Sequence, residues 1–244
     1  VKERLDKVLV DRGLVSTRSQ AKSIIEKGDV KVDGLIIKKA GEQIIPDSEL
    51  EIISPLFVGR GAFKLQKALE EFRIDPKDKI CLDVGASTGG FTEVLLNHGA
   101  RKVFAIDVGQ GQLAEKLRSD QRVVNLEKTN IRELHSLGEL ADLAVMDLSF
   151  ISITKVLANV GNLLIPGGSL IALIKPQFEA GPQRLPKDGV VKDQELRDAI
   201  LNEVHEFARA NGWGLEASII SPIEGKMGNM EFLSYFTNQN RSGN

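Results

Sequence analysis

The stretch Cys81-Leu82-Asp83-Val84-Gly85-Ala86-Ser87-Thr88-Gly89-Gly90-Phe91 decides the fold of this chain. An apolar run, Ile80 to Val84, carries one acid, Asp83, and breaks into glycines. A helical pattern from Phe91 to Leu96 follows at once. This reads as a buried strand, a tight turn and a helix N-terminus. Glycines let the backbone approach a ligand closely, and the free N–H groups of the first helical turn face it. The glycines stand at 85, 89 and 90, which departs from the dinucleotide spacing G-x-G-x-x-G. The alternative is a glycine-rich turn with no ligand.

An acid one turn before glycines of this looser spacing resembles the first motif of S-adenosylmethionine-dependent methyltransferases. The resemblance implies that Asp83 and the turn through Gly85, Ser87, Gly89, Gly90 and Phe91 hold the methionine end of that cofactor. Outward from the turn, short apolar runs alternate with helical patterns. Strands are expected at 103–106, 123–126, 143–146, 170–174, 215–220 and 231–236, and helices at 65–72, 91–96, 113–117, 153–164 and 195–210. Such alternation predicts an α/β domain on a parallel, doubly wound sheet, with ligands at the carboxyl ends of its strands. Polar residues collect there. Asp107 follows the second strand, about 20 residues past the glycines, and suits ribose hydroxyls; the alternative is a helix cap. Thr129 and Asn130 could meet an adenine edge. Asp147 ends the fourth strand, and Lys175 ends the fifth before Pro176, which should block helical continuation. A lysine beside apolar walls gives up its proton more readily, and one near carboxylates holds it. The alternative is a lysine snorkelling to water.

The chain has 244 residues, 42% hydrophobic and 27% charged, room for one α/β domain and a small appendage. No apolar stretch approaches the ~20 residues of a membrane span, and the first residues are too charged for a signal peptide. One cysteine, Cys81, excludes an internal disulfide and fits a reducing, cytoplasmic compartment. Three scattered histidines indicate no metal site. Net charge is −2, but unevenly spread: ten Lys and Arg face six Asp and Glu up to residue 39, +4, so the remainder carries −6.

That basic start reads as helix, helix and hairpin. Leu5, Val8 and Leu9 have helical spacing; Ser16 or Thr17 can cap a second helix that Gly28 stops; Asp33-Gly34 joins two β-branched runs, and Glu49–Ile53 adds a strand. The phrases Arg4-Leu-Asp-Lys-Val-Leu9, Ser16-Thr-Arg-Ser-Gln-Ala-Lys22 and Val30-Lys-Val-Asp-Gly34 resemble the S4 RNA-binding domain. The resemblance implies that Arg4, Arg18, Ser19, Lys22, Lys27 and Lys31 contact RNA phosphates and sugars; the alternative is a solvated helix face. Pro46 and Pro55 break the segment after it, so a small α+β domain is expected over 1–55 and the α/β domain over 56–244.

The large domain is similar to the FtsJ-like (RrmJ-like) 2′-O-methyltransferases, whose Lys-Asp-Lys-Glu tetrad matches Lys64 in Gly59-Arg-Gly-Ala-Phe-Lys-Leu65, Asp147, Lys175, and Glu231 in Gly228-Asn-Met-Glu-Phe232. An S4 domain fused to this domain resembles the TlyA, or hemolysin A-like, family. The resemblance implies a Rossmann-like seven-stranded domain that uses S-adenosylmethionine to methylate the 2′-hydroxyl of cytidine in ribosomal RNA or ribosomal subunits. It makes Lys175 the base, Asp147, Lys64 and Glu231 its partners, Asp147 a neighbour of the cofactor, and Arg60 a further RNA contact. The short start and the end at Asn244 look more like the shorter, large-subunit form. A non-catalytic RNA-binding scaffold and a membrane-active hemolysin are the competing readings. Intact glycines, Asp107 and the tetrad argue against the first, and the lack of an apolar span against the second.

Overall fold

In the computed structural model of the chain, residues 2–15, 17–53, 57–225 and 227–239 are described. Ser16, one expected cap, Pro55, the expected boundary, and the tail from residue 240 lie outside them. The chain divides into two compact units, Val1–Leu56 and Phe57–Asn244.

The first unit runs β1 (Glu3–Arg4), α1 (Leu5–Asp11), α2 (Arg18–Lys27), β2 (Val30–Val32), β3 (Leu35–Ile36), β4 (Gln43–Ile44) and β5 (Leu50–Ile52). The Thr17 hydroxyl caps α2 by accepting the Gln20 amide at 3.2 Å, and Gly28 ends it at φ +85. Asp33 and Gly34 have φ +49 and +80, the doubly left-handed turn that Asp-Gly favours in a hairpin. Strands pair in the order β3-β2-β5, all antiparallel, and β1 pairs with β4. Two-residue strands such as β1 and β4 are too short for periodicity to reveal. Leu5, Leu9, Ile25 and Val30 are fully buried in this unit's own core.

The second unit comprises α3 (Ala62–Phe72), β6 (Ile80–Val84), α4 (Gly90–Asn97), β7 (Lys102–Ile106), α5 (Glu115–Arg118), β8 (Val123–Leu126), β9 (Ala141–Met146), α6 (Leu157–Asn162), β10 (Leu164–Ile174), α7 (Pro176–Glu179), α8 (Gln194–Ala210), β11 (Trp213–Ile220) and β12 (Phe232–Asn238). Its seven-stranded sheet has the order β11-β12-β10-β9-β6-β7-β8. Leu82 and Val84 of β6 pack on one side with Ile153, Val204 and Trp213; Cys81 packs on the other with Leu65 and Leu95. Burial pushes the Cys81 thiol up to about 12, which leaves it an inert core residue.

Three expectations need correction. The sheet is mixed, because β12 lies antiparallel to both β10 and β11. The described residues between β11 and β12 form no crossover helix, and only antiparallel neighbours can be joined so directly. The helix expected over 153–164 divides into a 3₁₀ turn, Ile153–Lys155, and α6, and Leu164 already belongs to β10. Pro176 begins α7 rather than blocking a helix, since its missing N–H is not needed in a first turn.

His205 of α8 meets the Ser234 hydroxyl of β12 at 2.9 Å, and Ser234 meets Ser218 of β11 at 2.9 Å. Burial holds the imidazole below its usual range near 6.5. The unfolded chain therefore binds this proton more readily, and stability should fall as pH drops below about 6.5. Denaturant unfolding at pH 7.5 and 5.5 checks this; an equal loss in His205→Gln would assign the effect elsewhere.

Candidate active site

The carboxyl ends of β6, β7, β9 and β10 gather the polar residues. Gly85 turns the chain after β6 at φ +87, with its amide donating to the Ile106 carbonyl at 2.8 Å. A Cβ there would lie 2.6 Å from the backbone oxygen of Asp147, so only glycine fits. Gly89 has φ +95, and a Cβ on it would meet Leu117 Cδ1 at 2.2 Å. Phe91 is buried among Ala62 and Leu65, and its ring edge lies by Gly61, where a Cβ would meet Phe91 Cε1 at 3.6 Å. Gly90 is close-packed but less so: a Cβ would sit 3.1 Å from the Ala62 amide.

Asp107 accepts the Ser87 amide at 2.8 Å and the Gly109 amide at 2.7 Å, so it braces the glycine turn while staying partly exposed. Glu127, just past β8, does the same for the next loop, accepting the amides of Gly111 at 2.8 Å and Gln112 at 3.2 Å. The Gly111 amide, first among its backbone donors, holds the Glu127 carboxyl below its usual range. Sequence reading passed over Glu127, although its place after a strand was the signal that found Asp107. The Thr129 hydroxyl donates to the Glu127 carbonyl at 3.1 Å. Asn130 accepts the Arg132 amide at 3.1 Å and donates to Glu133 at 3.0 Å, so its amide group is engaged in a local cap.

Asp83 is fully buried. One of its oxygens accepts the Thr92 hydroxyl at 2.6 Å, and the other, Oδ1, has no partner. Burial, first of all, and the nearby Asp147 push its carboxyl up to about 7.

The tetrad residues form two ion pairs. Lys175 Nζ donates to Asp147 Oδ1 at 2.6 Å and to Ser149 Oγ at 3.0 Å. Lys64 Nζ donates to Glu231 Oε2 at 2.5 Å. Lys64, Lys175 and Glu231 are all buried. Neighbouring residues bring each pair toward the other's chain segment: Gln177, two positions past Lys175, donates weakly to Glu231 Oε1 at 3.4 Å, and Gly61, three ahead of Lys64, packs so that a Cβ would reach Asp147 Oδ2 at 3.6 Å. Gly225 lies over Glu231, with a Cβ position only 2.5 Å from Oε1. Beside the pairs, Phe150 is 91% exposed on a left-handed backbone, φ +65, with its ring 5.0 Å from that of Phe178. An exposed aromatic ring gives no periodic signal, and sequence reading missed it.

In the first unit Arg4 and Arg18 share one acid. Arg4 donates to both Asp6 oxygens, at 3.0 and 2.9 Å, and Arg18 to Oδ2 at 3.0 Å. The Arg4 hydrogen bond, then Arg18, holds the Asp6 carboxyl down at about 2. Lys22 lies 3.7 Å from Glu26 and Lys31 3.0 Å from Glu51. Ser19, Lys22 and Lys27 line a shallow depression with Ser23 and Glu26. Arg60 belongs to the second unit, exposed just before α3. Among the described residues no group of acids, histidines or cysteines could hold a metal ion, and no helix is long and apolar enough to cross a membrane.

A seven-stranded sheet in this order, with a glycine turn after the inner strand β6 and charged side chains at the carboxyl ends, defines a methyltransferase of the S-adenosylmethionine-dependent class. Residues 57–238 match the FtsJ-like methyltransferase family and residues 3–49 the S4 domain, so the chain belongs to the FtsJ-like family in its S4-fused form. It is 43% identical over 241 residues to the 16S/23S rRNA (cytidine-2′-O)-methyltransferase TlyA of Mycobacterium tuberculosis, covering 97% of this chain and 90% of that protein. It is 41% identical over 237 residues to Hemolysin A of Brachyspira hyodysenteriae, covering 96% and 99%. A solved hemolysin-like protein of Streptococcus thermophilus superposes with a TM-score of 0.76 at 39% identity, over 98% of this chain and 90% of that one.

Proposed function

We propose that the protein methylates the 2′-hydroxyl of a cytidine in ribosomal RNA, in the cytoplasm, with S-adenosylmethionine as methyl donor. The observation that carries this is the pair of buried lysine–carboxylate contacts, Lys175–Asp147 and Lys64–Glu231, beside the glycine turn. The cofactor supplies an activated sulfonium methyl. The orphaned oxygen of Asp83 suits its ammonium group, and the uncovered side of Asp107 suits its ribose hydroxyls. Lys175 takes the proton of the ribose hydroxyl, which is a poor nucleophile until it loses it. Asp147 orients Lys175, and Glu231 balances Lys64, so the buried site carries paired charges. Phe150 offers a ring to the base of the target nucleotide.

Incubating ribosomal subunits that lack the modification with labelled cofactor, then mapping the methylated ribose, tests the reading directly. Label on a base or a protein would overturn it.

Two predictions follow from the binding residues. Below about pH 7 Asp83 is protonated, and a cationic ammonium must displace that proton. Cofactor affinity should therefore rise between pH 6 and about 7.5, by at most about tenfold per unit. Calorimetry in that window checks it, and Asp83→Asn should be weak and flat with pH; a native curve that is equally flat would remove Asp83 from the site. RNA affinity should come from the first unit and fall with salt. Lys22→Ala should weaken binding and reduce the salt slope by roughly 1. Arg18→Ala should do less, because Asp6 already neutralises part of its charge. Filter binding over a salt series measures both slopes.

A further inference from the structure

We propose that Ser149 is a positioning residue for the reaction, aiming the lone pair of Lys175 at the hydroxyl it deprotonates. This rests on Lys175 being the base. A neutral amine is tetrahedral, with two N–H bonds and one lone pair. If Asp147 alone held Lys175, rotation about the Cε–Nζ bond would exchange the lone pair with a free N–H. Here Nζ donates to Asp147 Oδ1 at 2.6 Å and to Ser149 Oγ at 3.0 Å. Both N–H directions of the neutral amine are thereby occupied, and the lone pair takes a defined remaining direction. The Phe178 ring, 5.7 Å from Nζ, bounds the amine on another side, and only 8% of Lys175 is exposed.

Ser149 is itself exposed, and a solvated serine would not ordinarily hold one geometry. Its loop, however, is fastened at both ends. The Asp147 amide donates to Val84 O of β6 at 3.0 Å. On the far side, Glu179 accepts the Ser152 hydroxyl at 2.5 Å and the Ile153 amide at 2.9 Å. Glu179 closes α7, the helix that begins directly after Lys175. Lysine and serine are thus mounted on one bracket, and the left-handed Phe150 turns the chain between the two fastenings.

The test compares Ser149→Ala, Ser149→Thr and Lys175→Gln in the full chain, with ribosomal subunits as substrate and separate measurements of kcat, KM for RNA and cofactor Kd. Ser149→Ala should lose about 10- to 100-fold in kcat, the scale of a misdirected reacting group, with KM and Kd within about twofold. Ser149→Thr keeps the hydroxyl and should recover most of the rate. Native kcat in Ser149→Ala, with Lys175→Gln inactive, would leave the base in place and overturn the role of Ser149. A loss in Ser149→Ala that appears as raised KM, or that threonine does not relieve, would also overturn it. Native turnover in Lys175→Gln would remove the base, and the proposal with it.

Discussion

Lys175→Gln should lower methyl transfer by about 10²–10⁴-fold, the usual worth of a general base, while cofactor and RNA affinity stay within about twofold. Glutamine can still donate to Asp147 and Ser149 but cannot take a proton at neutral pH. Asp147→Asn removes the carboxylate 2.6 Å from Lys175 Nζ and should lower the rate as well, because the amine loses the charge that orients it. Lys64→Met leaves the Glu231 charge uncompensated in a buried place. That variant should be unstable by about 3–5 kcal/mol, the cost of orphaning one half of a buried pair. Single-turnover rates and denaturant unfolding at one fixed pH read the two effects. Near-native turnover in Lys175→Gln, with chemistry as the slow step, would reduce Lys175 to a positioning role.

Gly85→Ala should lose cofactor binding and much of the second unit's stability together. The backbone there has φ +87, which costs an L residue about 1–2 kcal/mol, and the new Cβ would stand 2.6 Å from the Asp147 carbonyl. Neither side can retreat: the Gly85 amide is bonded to Ile106 at 2.8 Å, and the Asp147 amide to Val84 at 3.0 Å. Relief would have to separate β6 from β9 at the site. Gly89→Ala should be milder, because its Cβ meets the ends of Leu117 and Leu113, side chains that can shift. Calorimetric titration and thermal unfolding of the two variants rank them. A Gly85→Ala protein that binds cofactor as well as Gly89→Ala does would contradict this account of the turn.

Local signals carried far along this chain. The β/α alternation departs from expectation at the divided 153–164 segment and the antiparallel β12, and the strand–glycine–helix unit, the Asp-Gly hairpin and the Thr17 and Gly28 caps stand where period and turn chemistry placed them. These features depend on residues within a few positions of one another, so the sequence alone determines them. Lys64, Asp147, Lys175 and Glu231 were singled out through family resemblance rather than spacing. Only the tertiary structure decided which of them pair. Lys64 and Glu231 are 167 residues apart and meet because β12 inserts beside β10, a strand order that no local pattern encodes. The same holds for Ser149 against Lys175, for Arg4 and Arg18 converging on Asp6, and for the antiparallel β12. Periodicity states which face of an element is buried; the order in which elements pack states which charged groups become neighbours, and that is what sets the chemistry of this site.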